Sequence, residues 1–174
     1  MTIEYRDATS ADAHQIGEVF RSSFVDTFGH LYPAEDLKEF LDGKTGEQFS
    51  AELASGLYTF RLAIASGIVA GYVKLGPPQL PIEAPQRTVE LCQLYVLKEW
   101  HGSGIARSLM DWAIADAQRQ GAEHIQLSVY VDNHRARRFY ERYGFHAVGR
   151  YDFMVGSHAD EDIILRHVIL QADQ

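Results

Sequence analysis

Residues 90–121 read ELCQLYVLKEWHGSGIARSLMDWAIADAQRQG, and the fold turns on how this stretch is parsed. Leu91-Cys92-Gln93-Leu94-Tyr95-Val96 is an apolar run of strand length, closed by charged Lys98-Glu99. A glycine turn follows, His101-Gly102-Ser103-Gly104-Ile105-Ala106. Ile105, Leu109, Ala113 and Ala117 then recur by fours, the spacing of one helix face, and Gly121 supplies the stop. Strand, glycine turn and helix together make an anion cradle. The first-turn N–H groups of a helix have no partner within it, the dipole's positive end points the same way, and glycine lets an oxygen approach the backbone. The stretch predicts a phosphate-bearing ligand at residues 101–106, although a glycine turn alone equally fits a plain strand-to-helix connector.

Upstream, Thr2–Asp7 alternates as a short first strand. Thr9 or Ser10 caps a predicted helix from Ala11 to about Phe28, with Ile16, Val19, Phe20, Phe24 and Phe28 on one face. Short helices are expected over Ala34–Leu41, after Pro33, and over Glu47–Ala54, before Gly56. Leu57–Ala65 and Ile68–Leu75 read as a hairpin about Ser66-Gly67. Four of the five prolines fall between Pro77 and Pro85, an extended loop within the domain. Downstream, His124–Tyr130 is a strand, and Asp132 or Asn133 caps a helix with Ala136, Phe139, Tyr140 and Tyr143 inward. Phe145–Val155 and Glu161–Leu170 are the closing strands, around Gly156-Ser157-His158. This order of elements predicts one α/β (α+β) domain over residues 1–174, a mixed sheet with helices on its faces.

At 174 residues the chain is long enough to bury a core without staples. Sixteen basic against twenty-four acidic side chains leave a net charge of −8, which argues against nucleic acid or an anionic membrane as partner. Cys92 is the single cysteine, so no internal disulfide is available, and no run approaches a membrane span or signal segment; a cytoplasmic protein is expected. No histidine pair stands at i, i+4 and no cysteine set accompanies one, so no metal is expected.

Among phosphate-binding motifs, a dinucleotide fingerprint is broken by Arg107 at its third glycine and by the three strands that precede it. Gly43-Lys44-Thr45 ends like a P-loop, but Lys38 stands at the first glycine. A nucleophile elbow on Ser103 lacks glycine at both flanks, His101 and Ile105. A second segment completes a different pattern: Asn133-x-x-Ala136-x-x-Phe139-Tyr140-x-x-x-Gly144-Phe145, directly after the next strand. With His101–Ala106 it resembles the GNAT superfamily of acyl-CoA-dependent N-acetyltransferases. The resemblance implies a mostly antiparallel sheet of about seven strands, splayed at its central pair. It also implies acetyl-CoA as co-substrate, its pyrophosphate on the backbone of His101, Gly102, Ser103, Gly104, Ile105 and Ala106. His101 departs from the usual Arg or Gln of that turn.

Acetyl transfer to an amine needs a neutral nucleophile, a stabilised carbonyl oxygen and a protonated leaving sulfur. The resemblance places the pantetheine arm between the strands around Leu94, Tyr95, Val96 and Leu127–Tyr130, with a backbone N–H near Val96 as oxyanion donor. It puts Tyr140 where many members keep the acid that protonates the sulfur; packing beside Phe139 is the alternative. Glu90 has the spacing of the catalytic glutamate of the histone-acetylating branch, and equally reads as an inert strand-end carboxylate. Asn133 caps the last helix, binds the coenzyme, or both. Of Arg135, Arg137, Arg138 and Arg142, Arg138 is the candidate for the adenosine 3′-phosphate, against a merely solvated face. Cys92 reads as a small buried hydrophobe.

Phe24–Phe28, Ala70–Lys74, Glu90–Val96 and Phe153-x-x-Gly156 look more loosely like the PaiA-type polyamine N-acetyltransferases. That implies spermidine or spermine as the small-molecule amine partner, met by Asp26, Phe28 and Tyr32 through ion pairing and cation–π contact. Glu90 and Tyr95 are further candidates, and a homodimer is compatible with the resemblance. The rival readings are a GNAT acting on a protein N-terminus, an amino acid or an amine toxin, and a coenzyme-binding sensor without turnover.

Overall fold

Seven strands join in one sheet in a computed structural model of the protein, which describes residues 2–170. The ends of the expected 1–174 domain, residue 1 and residues 171–174, lie outside the described residues. In chain order the elements are β1 (Ile3–Asp7), α1 (Ala13–Phe28), α2 (Ala34–Asp42), α3 (Gly46–Ser55), β2 (Thr59–Ala65) and β3 (Ile68–Gly76). Then come β4 (Thr88–Val96), α4 (Ile105–Arg119), β5 (His124–Tyr130), α5 (His134–Arg142), β6 (His146–Val155) and β7 (His158–Val168). The sheet order is β1-β2-β3-β4-β5-β7-β6. Every neighbouring pair is antiparallel except β4 and β5, which α4 joins by the crossover that a parallel pair requires.

That parallel pair is short. Only Thr88–Glu90 register with His124–Gln126; beyond them Leu91–Val96 and Leu127–Tyr130 run on without pairing to each other. β3 holds the other edge of β4, and β7 that of β5, so neither diverging strand is left unsupported. The pairing of β3 with β4 skips one residue between Leu91 and Gln93, a bulge at Cys92 that bends β4 where the two strands part.

One apolar core lies on each face. Ile105, Leu109, Ala113 and Ala117 of α4 are all essentially fully buried against β3, β4 and β5, as their spacing by fours predicts. Ile16, Val19, Phe20 and Phe24 of α1 pack on the other face with Phe49, Phe60 and Tyr72. The fold differs from the sequence reading at a few ends. A short 3-10 turn, Ser10–Asp12, precedes α1, and the Asp12 carboxylate accepts from the Thr9 N–H at 2.8 Å and from Arg6. β7 begins at His158, three residues before the expected Glu161. Asp160 and Asp162 have poor strand propensity, yet both stand in register with β6, opposite Phe153 and Tyr151.

Candidate active site

The diverging edges of β4 and β5 open a cavity of about 310 Å³. Leu94, Tyr95 and Val96 line it from β4, Ser128 and Tyr130 from β5, and His101 and Asn133 stand at one end. That end is the glycine turn. Gly102 and Gly104 have φ of +80° and +88°, the left-handed backbone that glycine adopts at little cost. The turn thereby frees a run of donors. Among the described residues, the N–H groups of Gly102, Gly104, Ile105, Ala106 and Arg107 have no acceptor, whereas Ser103 N–H donates to Trp100 O and Ser108 N–H to Gly104 O. No heavy atom lies within 4 Å of where a Cβ would sit on Gly102 or Gly104, so the cradle stands open. Five free amides in and just before a helix start fit a pyrophosphate.

His101 ties this turn to both sides of the cavity. Arg135 Nη1 donates to its Nδ1 at 2.7 Å, which leaves Nε2 to donate to Val96 O at 2.9 Å. Val96 therefore turns its carbonyl toward the cavity, and its N–H shares that edge. Leu97 N–H, one residue on, points the opposite way, to Ala70 O of β3. The departure from Arg or Gln at 101 thus leaves the backbone cradle intact and gives the side chain a bridging position. Arg138 is exposed and has no hydrogen bond or ion pair with another described residue, so Arg135 is the arginine of α5 that meets the turn. Asn133 caps α5, its Oδ1 accepting from Ala136 N–H at 3.3 Å, and it also lines the cavity.

Tyr140 faces the same space from α5, buried between Phe139 and Phe145, its hydroxyl with no hydrogen-bond partner among the described residues. Burial pushes its hydroxyl up to about 12, so it carries its proton throughout the neutral range. Cys92 lines the cavity at the bulge, and burial likewise pushes its thiol up to about 12, which makes it a poor thiolate. Glu90 stands elsewhere. It is the last residue of β4 in register with β5, buried at the apex of the splay, and is not among the residues lining the cavity. Its Oε2 accepts from Gln79 N–H at 2.7 Å, Leu80 N–H at 3.1 Å and Gln126 Nε2 at 3.3 Å, which fastens the proline loop to the sheet.

The far end of the cavity is aromatic and acidic. Phe20, Phe24 and Phe28 of α1 line it with Tyr32, Phe40 and Phe153. Asp26 does not; it lies about 200° around α1 from Phe24, at 100° per residue, and is exposed. The carboxylates at the cavity are instead Asp160 and Asp162 of β7, which the sequence reading passed over. Asp160 Oδ2 accepts a short bond from the Tyr32 hydroxyl, and His158 Nε2 lies 3.2 Å from its Oδ1. Asp162 stands beside Ser128 and Tyr151, whose hydroxyls bond each other at 3.1 Å; burial and then Asp160 raise its carboxyl to about 6, while the two hydroxyls favour its charged form. Alternation at Asp160 and Asp162, in step with Ile164, was the signal available for both as one face of a strand. Lys44 also lines this end, its Nζ 5.5 Å from the Phe40 ring centre, and burial followed by repulsion from Lys74 lowers its pKa. Among the described residues no group of three or more His, Cys, Asp and Glu is placed to hold a metal, and no helix is long and apolar enough to cross a membrane.

The profile described as "Acetyltransferase (GNAT) family" matches residues 15–145. An uncharacterized N-acetyltransferase of Mycobacterium tuberculosis is 32% identical over 158 residues, 88% of this chain and 96% of that one. The aminoalkylphosphonate N-acetyltransferase of Salmonella typhimurium is 33% identical over 110 residues, 63% of this chain and 68% of that one. Among solved structures, the PaiA N-acetyltransferase of Thermoplasma acidophilum, in complex with coenzyme A, superposes with a TM-score of 0.77. At 24% identity it covers 97% of this chain and 99% of its own. Matched along most of its length, and with a free-amide turn at the mouth of a splayed sheet, the chain belongs to the GNAT family and is an acyl-CoA-dependent N-acetyltransferase.

Proposed function

We propose that the enzyme moves the acetyl group of acetyl-CoA onto a primary amine of a small molecule, a polyamine of the spermidine and spermine class, by direct attack in a ternary complex. One observation carries this reading: a single cavity joins the free-amide turn at one end to Asp160 and Asp162 among aromatic rings at the other. Carboxylates and ring faces are what a multiply charged alkylamine requires. Gly102, Gly104, Ile105, Ala106 and Arg107 offer the pyrophosphate their amides, and the bared edges of β4 and β5 offer the pantetheine arm a strand-like slot. The Val96 N–H is the donor for the carbonyl oxygen as it gains charge, and the Tyr140 hydroxyl is the acid for the departing sulfur. We assign Glu90 to bracing, since its carboxylate is committed to the loop amides at the apex. A cytoplasmic setting accords with the unpaired Cys92.

Lys44 favours a second reading, an amine that also carries an acid group. It is a half-buried cation at the acceptor end with no carboxylate in ion-pair distance among the described residues, and Glu52 nearby is already held by Lys74. The name of the relative from Salmonella describes such an acceptor for that protein. Thiol release from acetyl-CoA, measured over spermidine, spermine, aminoalkylphosphonates, amino acids and amino-terminal peptides, separates the readings. The expected result is the highest kcat/KM with a polyamine. Preference for an aminoalkylphosphonate supports the second reading, preference for peptides rejects both, and tight coenzyme binding without release in any well leaves a sensor.

A further inference from the structure

We propose that Asp162 is the group that takes the proton from the incoming ammonium, its carboxylate at the cavity wall beside Ser128 and Tyr151. The inference rests on the acetyl-transfer reading and not on which amine is the substrate. An alkylammonium is almost wholly charged at neutral pH, with a pKa near about 10, and cannot attack until it loses a proton. The acceptor for that proton has to face the same space as the thioester, and Asp162 does. It lies on β7 in register with Tyr130 of β5 and Tyr151 of β6, and lines the cavity into which Val96 and Tyr140 also face.

The two cavity carboxylates differ in what they already hold. Asp160 is engaged by Tyr32 and His158, so its oxygens are largely spoken for. Asp162 has no ion pair with any described lysine, arginine or histidine, and the hydroxyls beside it, of Ser128 and Tyr151, lie 3.1 Å from each other. The groups that face it are Asp160 on its own strand, Tyr151 from β6, Ser128 and Tyr130 from β5, Tyr95 from β4, and Tyr32 from the segment between α1 and α2. None of them is a cation. An arriving ammonium would be the first positive charge at this carboxylate, which both draws it in and prepares the transfer. Burial, followed by the charge on Asp160, raises Asp162 to about 6, so it is ionised at neutral pH yet readier than an ordinary aspartate to accept a proton.

The proton count closes. The ammonium gives one proton to the Asp162 carboxylate, leaving a neutral amine and a carboxylic acid. The nitrogen lone pair forms the C–N bond at the thioester carbonyl carbon. The C–S bond breaks, sulfur leaves with its electron pair, and Tyr140 supplies its proton. Nitrogen sheds its remaining extra proton to restore the Tyr140 hydroxyl through cavity water, and Asp162 returns its own to solvent. One proton is released per amide formed.

The test is Asp162→Asn, with kcat/KM followed against pH for whichever amine the panel shows to be turned over best. The wild type is expected to lose activity below about pH 6, where Asp162 is protonated. The variant is expected to lose that acid limb and to fall about 100-fold in kcat, while acetyl-CoA affinity stays within about twofold. Folding is not the obstacle. A carboxyl whose pKa is raised in the folded state contributes stability below about pH 4 and loses it as pH rises through about 6, so the variant should melt higher than the wild type at neutral pH and converge with it toward pH 4. An acid limb that persists unchanged in the variant, or a kcat within about threefold of wild type, overturns the assignment. A wild type that turns over no amine overturns the transfer reading itself, and the proton acceptor with it.

Discussion

The two ends of the cavity are built by different means. The coenzyme end is contiguous in the chain, residues 101–107, and offers backbone amides whose aim depends on two left-handed glycines. The acceptor end gathers side chains from Phe20 to Asp162, carried on α1, on α2 and the segments that flank it, and on β6 and β7. A backbone site needs a turn geometry and tolerates changes of side chain, as His101 illustrates by keeping the cradle while taking a new partner in Arg135. A side-chain site needs particular groups at particular places and can be re-specified one residue at a time. That difference explains how one end can be common to a family while the other sets the substrate.

Tyr140 sits where the two ends meet, and its removal should have the largest effect. Tyr140→Phe keeps the packing against Phe139 and Phe145 and deletes only the hydroxyl. The expected loss is about 100-fold in kcat, near 2.7 kcal/mol, with the KM for acetyl-CoA almost unchanged. A kcat equal to wild type reduces Tyr140 to a core aromatic. Gly104→Ala should act more weakly and on one end alone. No atom crowds the added methyl, so the cost is that of a left-handed backbone for alanine, about 1–2 kcal/mol, and relief of that strain turns the free amides off their aim. The KM for acetyl-CoA is expected to rise about tenfold while the acceptor KM holds. A larger shift in the acceptor KM would show that the ends are coupled through the turn.

The same contrast decides what was legible in the sequence. The strand-turn-helix unit announced itself because its signals are local: an apolar run, two glycines, and a stripe by fours that the core then absorbed at Leu109 and Ala113. The splay was implied only through family resemblance, because nothing in Leu91–Val96 or Leu127–Tyr130 records that the pairing stops after Glu90. The acceptor carboxylates were misplaced for a physical reason. Asp26 sits beside the aromatic run of α1 in sequence but turns away from it on the helix, whereas Asp160 lies just ahead of the strand expected from Glu161, becomes a strand residue through its pairing with β6, and brings Asp162 with it onto one face. Local propensity lost there to tertiary pairing. Lys44, in a P-loop look-alike that binds no phosphate by pattern, gained meaning only when folding carried it to the cavity wall.

Glu90 gives the smallest expected effect and the sharpest check on the comparison. Its Oε2 alone receives the amides of Gln79 and Leu80 and the side chain of Gln126, so it acts as a tie between the proline loop and the last paired rung of the splay. In Glu90→Gln the amide oxygen still accepts, but the bonds lose their charge assistance and the new NH2 group has to find an acceptor at a buried apex. About 1–2 kcal/mol of stability should go, which for a chain of 174 residues is a fall in Tm of about 2–8 °C. The acid limb of kcat/KM should stay where it is, because the carboxylate that titrates for the reaction is at the acceptor end. Asp162→Asn is expected to do the reverse, raising the melting temperature at neutral pH and erasing the limb. If Glu90→Gln erases the limb instead, the proton leaves through the apex, and the acceptor end keeps recognition while losing its share of the chemistry.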